Sequence, residues 1–139
     1  MRLWHKDLIP VLPKQQLLGQ WRECCCIARN IAVKGKPMHL LVNKIMDYPL
    51  EHFFWYSNEV MVEMKRRRYK VDESKFLKWI PAEVDLPVIW HSNLFPNWHN
   101  DRYMHQCLMN LQEKFDCGGI GICEYEKIME FTNNWFKMK

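Results

Sequence analysis

The residues best equipped for covalent chemistry stand at the start of the chain and at the end of its first apolar stretch. They are Met1 and Arg2, then Gln15, then the run Trp21-Arg22-Glu23. A charged pair such as Arg22-Glu23 inside an apolar helix must be paired, solvated or working, because a buried unpaired charge is costly. The chain start carries Leu3, Trp4, Leu8 and Ile9 almost at once, so it reads as tied down rather than trailing. That would hold the α-amino group near the helix. An α-amine titrates closer to neutrality than a lysine and is partly neutral, hence nucleophilic, without special tuning. An amine beside a carboxylate such as Glu23 is the equipment for imine formation at a sugar or carbonyl carbon.

Helices must position these groups. Pro13 suits a first turn, and Leu17, Leu18, Trp21, Cys24, Cys25, Ala28 and Ile31 follow at helical spacing, which predicts a helix over 13–31. A shorter helix is predicted over 38–46, stopped by Asp47-Tyr48-Pro49. Leu50, Phe53, Phe54, Ser57, Val60, Met61 and Met64 form one face of a third, whose C-terminal end is loaded with cations that suit the helix dipole. Asp72 is placed to cap a short turn running to Lys78. Residues 80–98, punctuated by Pro81, Pro87 and Pro96, read as an extended loop. Asn100 or Asp101 starts a helix with the face Tyr103, Cys107, Leu108, Leu111 and Phe115, ended by Asp116-Cys117-Gly118-Gly119. A last helix over 123–136 aligns Ile128, Phe131 and Trp135. The expectation is an all-α, single-domain helical bundle over 1–139 with long irregular loops.

The length of 139 residues suits one domain with a real core, and a hydrophobic content of 48% argues against disorder. No apolar run is long enough to cross a membrane, and Asp7, Pro10, Pro13 and Lys14 interrupt any signal-peptide pattern, so no membrane partner is expected and the cytoplasm is the expected compartment. Cys24-Cys25-Cys26 are adjacent, so the six cysteines read as reduced thiols rather than a disulfide framework. A net charge of +4 permits nucleic-acid binding without demanding it. The run Lys65-Arg66-Arg67-Arg68-Tyr69-Lys70 is either a solvated helix end or a phosphate-backbone patch. Trp side chains at seven positions are more often core than base-stacking platforms. His91, His99, His105, Cys107, Cys117 and Cys123 lack the usual metal-ligand spacings, and no metal is expected.

The order Arg2, Gln15, Trp21-Arg22-Glu23, with Leu17 and Leu18 between, resembles the N-terminal region of the pyrimidine-dimer DNA glycosylases of the phage endonuclease V type. Met-Arg-Leu-Trp-His at the start, the His99-Asn100-Asp101 helix start, Gly35-Lys36, Met64-Lys65-Arg66-Arg67 and Trp135-Phe136-Lys137 support the same likeness to bacterial members of that family. The resemblance implies an endonuclease V-like fold and a DNA glycosylase with abasic-site lyase activity. Glu23 would position the amine, stabilise the opened sugar and assist β-elimination. Arg22, Gln15 and Arg2 would contact DNA, with Lys65 to Arg68, Trp135 and Lys137 extending the footprint. A bulky Arg2 blocks removal of the initiator Met, which puts the Met1 amine where the family has a threonine amine. The substrate would be damaged double-stranded DNA, and no cofactor is required. A non-catalytic nucleic-acid-binding domain that keeps the fold is the other reading, and oligomeric state is left open.

Overall fold

Pro13 and Gly35 bracket the longest helix. The computed structural model describes residues 1–82 and 85–139, and helix α1 runs Lys14–Lys34. Pro13 stands just ahead of it with φ −56°, where a missing N–H costs nothing. Glu124, from the C-terminal helix, accepts from the Lys14 N–H at 2.8 Å, placing a carboxylate at the positive end of the helix dipole. Gly35 takes φ 81°, a left-handed conformation that closes the helix by returning its N–H to Ile31 O. Residues 32–34 contain no breaker, so the helix continues a turn beyond the predicted end at 31.

Helix α2, Leu50–Arg66, lies against α1, and a single turn, α3 (Ser74–Leu77), inserts Phe76 against Trp21, Phe53 and Phe54. Asp72 accepts from the Ser74 N–H at 3.1 Å, as its spacing predicted. Helix α4, Asp101–Asp116, begins where Asn100 Oδ1 accepts from the Tyr103 N–H at 2.9 Å, the N-cap expected there. Gly118 at φ 81° ends it, with the Gly119 N–H returned to Lys114 O. Helix α5, Ile122–Lys137, extends the predicted span by one residue at each end. The described residues hold helices and irregular segments but no strands, in agreement with a mostly α fold.

Two segments differ from the sequence reading. The stretch predicted as a helix over 38–46 is a 3-10 helix, Leu40–Asp47. With three residues per turn, Val42 and Ile45 eclipse on one edge, and both are buried against α2. The loop over 80–98 includes Glu83 and Val84, which lie outside the described residues. Its C-terminal part is core rather than covering: Leu94, Phe95 and Trp98 are buried. Phe95 carries φ 48°, a strained value for a bulky residue, and its N–H is held by His52 Nδ1 at 3.1 Å. Tyr48 and Trp55 secure the same loop by donating to Pro96 O and Pro87 O.

The N-terminal segment also runs into the core. Leu3, Trp4, Leu8, Ile9 and Leu12 are buried, and Lys6–Val11 forms a 3-10 helix that contacts α2 and α5.

Candidate active site and its flanking clefts

Side chains from three helices hold both backbone groups of Arg2, both of Trp4 and the carbonyl of Leu3. The Arg2 N–H donates to Glu23 Oε2 at 3.2 Å. Gln20, buried on the inner face of α1, donates through Nε2 to Arg2 O at 3.0 Å and accepts through Oε1 from the Trp4 N–H at 2.8 Å. Gln20 thus treats the chain start as a sheet would treat a neighbouring strand. Tyr56, from α2, donates its hydroxyl to Trp4 O at 2.6 Å, and Tyr103, from α4, donates to Leu3 O. Three helices therefore clamp residues 2–4, and burial of both phenols raises their pKa values, so they stay neutral donors. Gln20 was not singled out from sequence. Its signal was a polar side chain within the apolar stripe of Leu17, Trp21 and Cys24.

Glu23 is half-buried, and among the described residues it enters no ion pair, with the Met1 amine or with any side chain. The carboxylate therefore holds the backbone one residue after the amine, while Met1 itself is exposed. The Arg2 guanidinium lies 5.6 Å over the Trp4 ring and 4.0 Å from Cys107 Sγ, which directs it toward α4.

On that side opens a cleft of about 990 Å³. Arg2, Lys44 and Arg102 line it with a single carboxylate, Asp47. Asn43, Asn97, Asn100 and Gln106 add amides, and Trp98 and Tyr103 form aromatic wall. Cations, amides and ring faces together suit a nucleic-acid backbone and its bases. Lys44 and Arg102 were not among the sequence candidates, because residues 58 positions apart give no local signal.

Arg22 faces elsewhere. It lines a second cleft, of about 530 Å³, with Trp21, Cys25, Lys70 and Lys75 beside Asp72. Gln15, exposed two turns back on α1, lies on the same helix face as Arg22. The basic run at the end of α2 is engaged by carboxylates, with Arg67 half-buried and Lys65 and Arg66 exposed. Lys65 pairs with Glu73, and Arg66 and Arg67 both pair with the buried carboxylate of Glu63. Burial would raise the Glu63 pKa, but the two guanidinium hydrogen bonds hold it below the ordinary range. Arg67 also donates to Leu12 O at 2.8 Å and Pro10 O at 3.1 Å, tying α2 to the N-terminal segment. Arg68 is exposed at φ 66°.

At the far end of the N-terminal segment, Trp135 donates its indole N–H to Asp7 Oδ2 at 2.9 Å, and Lys137 is exposed near the end of α5. His91 lies between Asp7 and Glu59, 2.6 Å from each. Those carboxylates, Asp7 first, raise its pKa to about 9, so the ring is an imidazolium at neutral pH. Burial works the other way on His5, lowering its pKa to about 4. In sequence His91 was weighed only as a metal ligand and His5 only as part of the opening motif, because their roles depend on what folds against them.

No curated protein and no solved structure matches the chain. A family model does, over residues 1–77, a span that runs from the clamped N-terminus through α1 and α2 to the end of α3 and takes in Arg2, Gln20 and Glu23. The matched region is more than half of the chain, so the protein belongs to the pyrimidine dimer DNA glycosylase family.

Proposed function

We propose that this DNA glycosylase couples base removal to abasic-site strand scission through an imine formed by its N-terminal amine. The single observation that carries the reading is the bond from the Arg2 N–H to Glu23, made on a chain start that Gln20 anchors. It supports a carboxylate lying against the backbone that immediately follows the amine. In this reading the neutral Met1 amine attacks C1′ of the damaged nucleotide. The C1′–base bond breaks, and the base leaves with its electron pair and is protonated. Loss of the amine proton and ring opening give an iminium between Met1 N and C1′. A proton then leaves C2′, and the 3′ phosphate departs by β-elimination. Glu23 stabilises the cationic intermediate and serves the proton transfers. Arg2, Arg22, Gln15, Lys65, Arg66, Arg67, Arg68, Trp135 and Lys137 were the expected DNA contacts. Of these, Arg2 lines the larger cleft and Arg22 a smaller cationic one, and these two best fit phosphate contacts.

Borohydride reduction tests this directly. A covalent complex with abasic-site duplex is expected from protein beginning at a free Met1. The adduct should vanish when the amine is acetylated and should fall by at least about a hundredfold in Glu23→Gln, the scale of a lost acid–base group. Absence of trapping with a free terminus would favour the non-catalytic DNA-binding reading.

A further inference from the structure

We propose that the 3-10 helix Leu40–Asp47 is a wedge that opens duplex DNA, with Leu40 and Leu41 entering a base step beside the larger cleft. Three large apolar side chains are exposed within this short stretch, Leu40, Leu41 and Met46, with Met38 just ahead of it; Leu40 is 84% exposed and Leu41 52%. Apolar surface concentrated in this way marks a contact surface rather than scatter.

The 3-10 geometry explains why the leucines stand out. Val42 and Ile45 take the edge that faces the core, as three-residue periodicity requires. Leu41, Lys44 and Asp47 then share a second edge, and Leu40, Asn43 and Met46 the third. An α-helix would instead have rotated successive residues off these lines. His39 Nδ1 accepts from the Leu41 N–H at 3.2 Å and fixes the start of the turn, and Tyr48 returns its N–H to Ile45 O at its end. The wedge is therefore held at both ends and packed against α2.

Charge identifies the occupant. Leu40 and Leu41 line the same cleft as Arg2, Lys44 and Arg102, where three cations face one carboxylate. A protein partner of ordinary composition has no need of three cations around two leucines. A duplex does, because its phosphates flank each base step and its stacked bases accept an apolar side chain once they are parted. This inference rests on DNA being the substrate but not on the Met1 amine being the nucleophile.

The test uses the whole chain, a lesion-bearing duplex with 2-aminopurine opposite the lesion, and the same lesion within a small unpaired bubble. The Leu40→Ala/Leu41→Ala variant should keep the wild-type melting temperature, since both side chains are exposed. Its affinity for the duplex should fall about tenfold with loss of the 2-aminopurine fluorescence rise, while affinity for the bubble stays at wild-type level. The slope of affinity against salt should not change, because no phosphate contact is removed. Equal weakening on duplex and bubble, or no weakening on either, would overturn the wedge. So would a change in sedimentation of the free protein, which would mark the leucines as a protein–protein face. Borohydride trapping separates the two proposals: adduct without fluorescence rise removes the wedge alone, and fluorescence rise without adduct removes the imine mechanism alone.

Discussion

The most basic run in the chain and the cleft beside Arg2 are different places. Lys65-Arg66-Arg67-Arg68 is dense in sequence, yet Lys65, Arg66 and Arg67 are engaged by Glu73 and Glu63, and Arg67 is additionally bound to carbonyls of the N-terminal segment. The larger cleft draws Arg2, Lys44 and Arg102 from three remote stretches, and none of the three enters an ion pair among the described residues. Charge density along a chain measures neither how much charge is free nor where it gathers. A guanidinium committed to a buried carboxylate has little attraction left for a phosphate, whereas three unpaired cations around a concavity add their fields.

The sharpest way to break this contrast is Arg67→Met. It leaves Glu63 buried with one partner and frees the Leu12 and Pro10 carbonyls, so about 3 kcal/mol of stability should be lost, read as a fall in denaturant midpoint. The salt dependence of DNA binding should be unaltered. A large change in salt slope without loss of stability would return Arg67 to the DNA-contact side. The complementary variant, Lys44→Gln/Arg102→Gln, should leave stability within about 0.5 kcal/mol. Its salt slope for duplex binding should drop by about 2, one for each phosphate contact. An unchanged slope would remove the cleft from the interface.

Acid and alkali probe the two ends of the N-terminal segment differently. His91 has its pKa raised to about 9 by Asp7 and Glu59, above the ordinary histidine value of about 6.5. Its contribution to stability is therefore fully present below pH 6.5 and is lost as pH rises through 9. Solvent exposure of the ring keeps that contribution modest. Buried His5 has its pKa lowered to about 4, so it costs stability as pH falls below 6.5. A melting-temperature profile should sag on both sides of neutrality, and His91→Gln should flatten the alkaline limb alone. The smallest effect is expected of Arg68→Ala: a stability change within about 0.5 kcal/mol and at most a reduction of about 1 in the salt slope. Either result decides whether the basic run offers DNA any free cation.

Much of the frame was legible from local chemistry. Pro13 and Gly35 bound α1, Asn100 caps α4, and Gly118 ends it, because caps and left-handed closures are settled by residues a few positions apart. The family was legible too, since Arg2, Gln15 and Trp21-Arg22-Glu23 lie in a short N-terminal stretch. The segment after Pro37 was misread as an ordinary helix: its apolar content suits either helix type, and only packing of Val42 and Ile45 against α2 selects three residues per turn. Phe95 could not have been read as core, because its buried position depends on a positive φ that no local preference favours.

By itself, then, the sequence determined where the long helices start and stop and which family the chain joins, and it offered the Met1 amine and Glu23 as candidates. Those properties follow from short-range steric and hydrogen-bonding preferences. Tertiary structure alone decided that Gln20, Tyr56 and Tyr103 would pin the chain start beside Glu23, that Glu73 and Glu63 would engage the basic run, and that Lys44 and Arg102 would meet Arg2. Each of these depends on which distant groups desolvate one another, and that is set only when the helices pack.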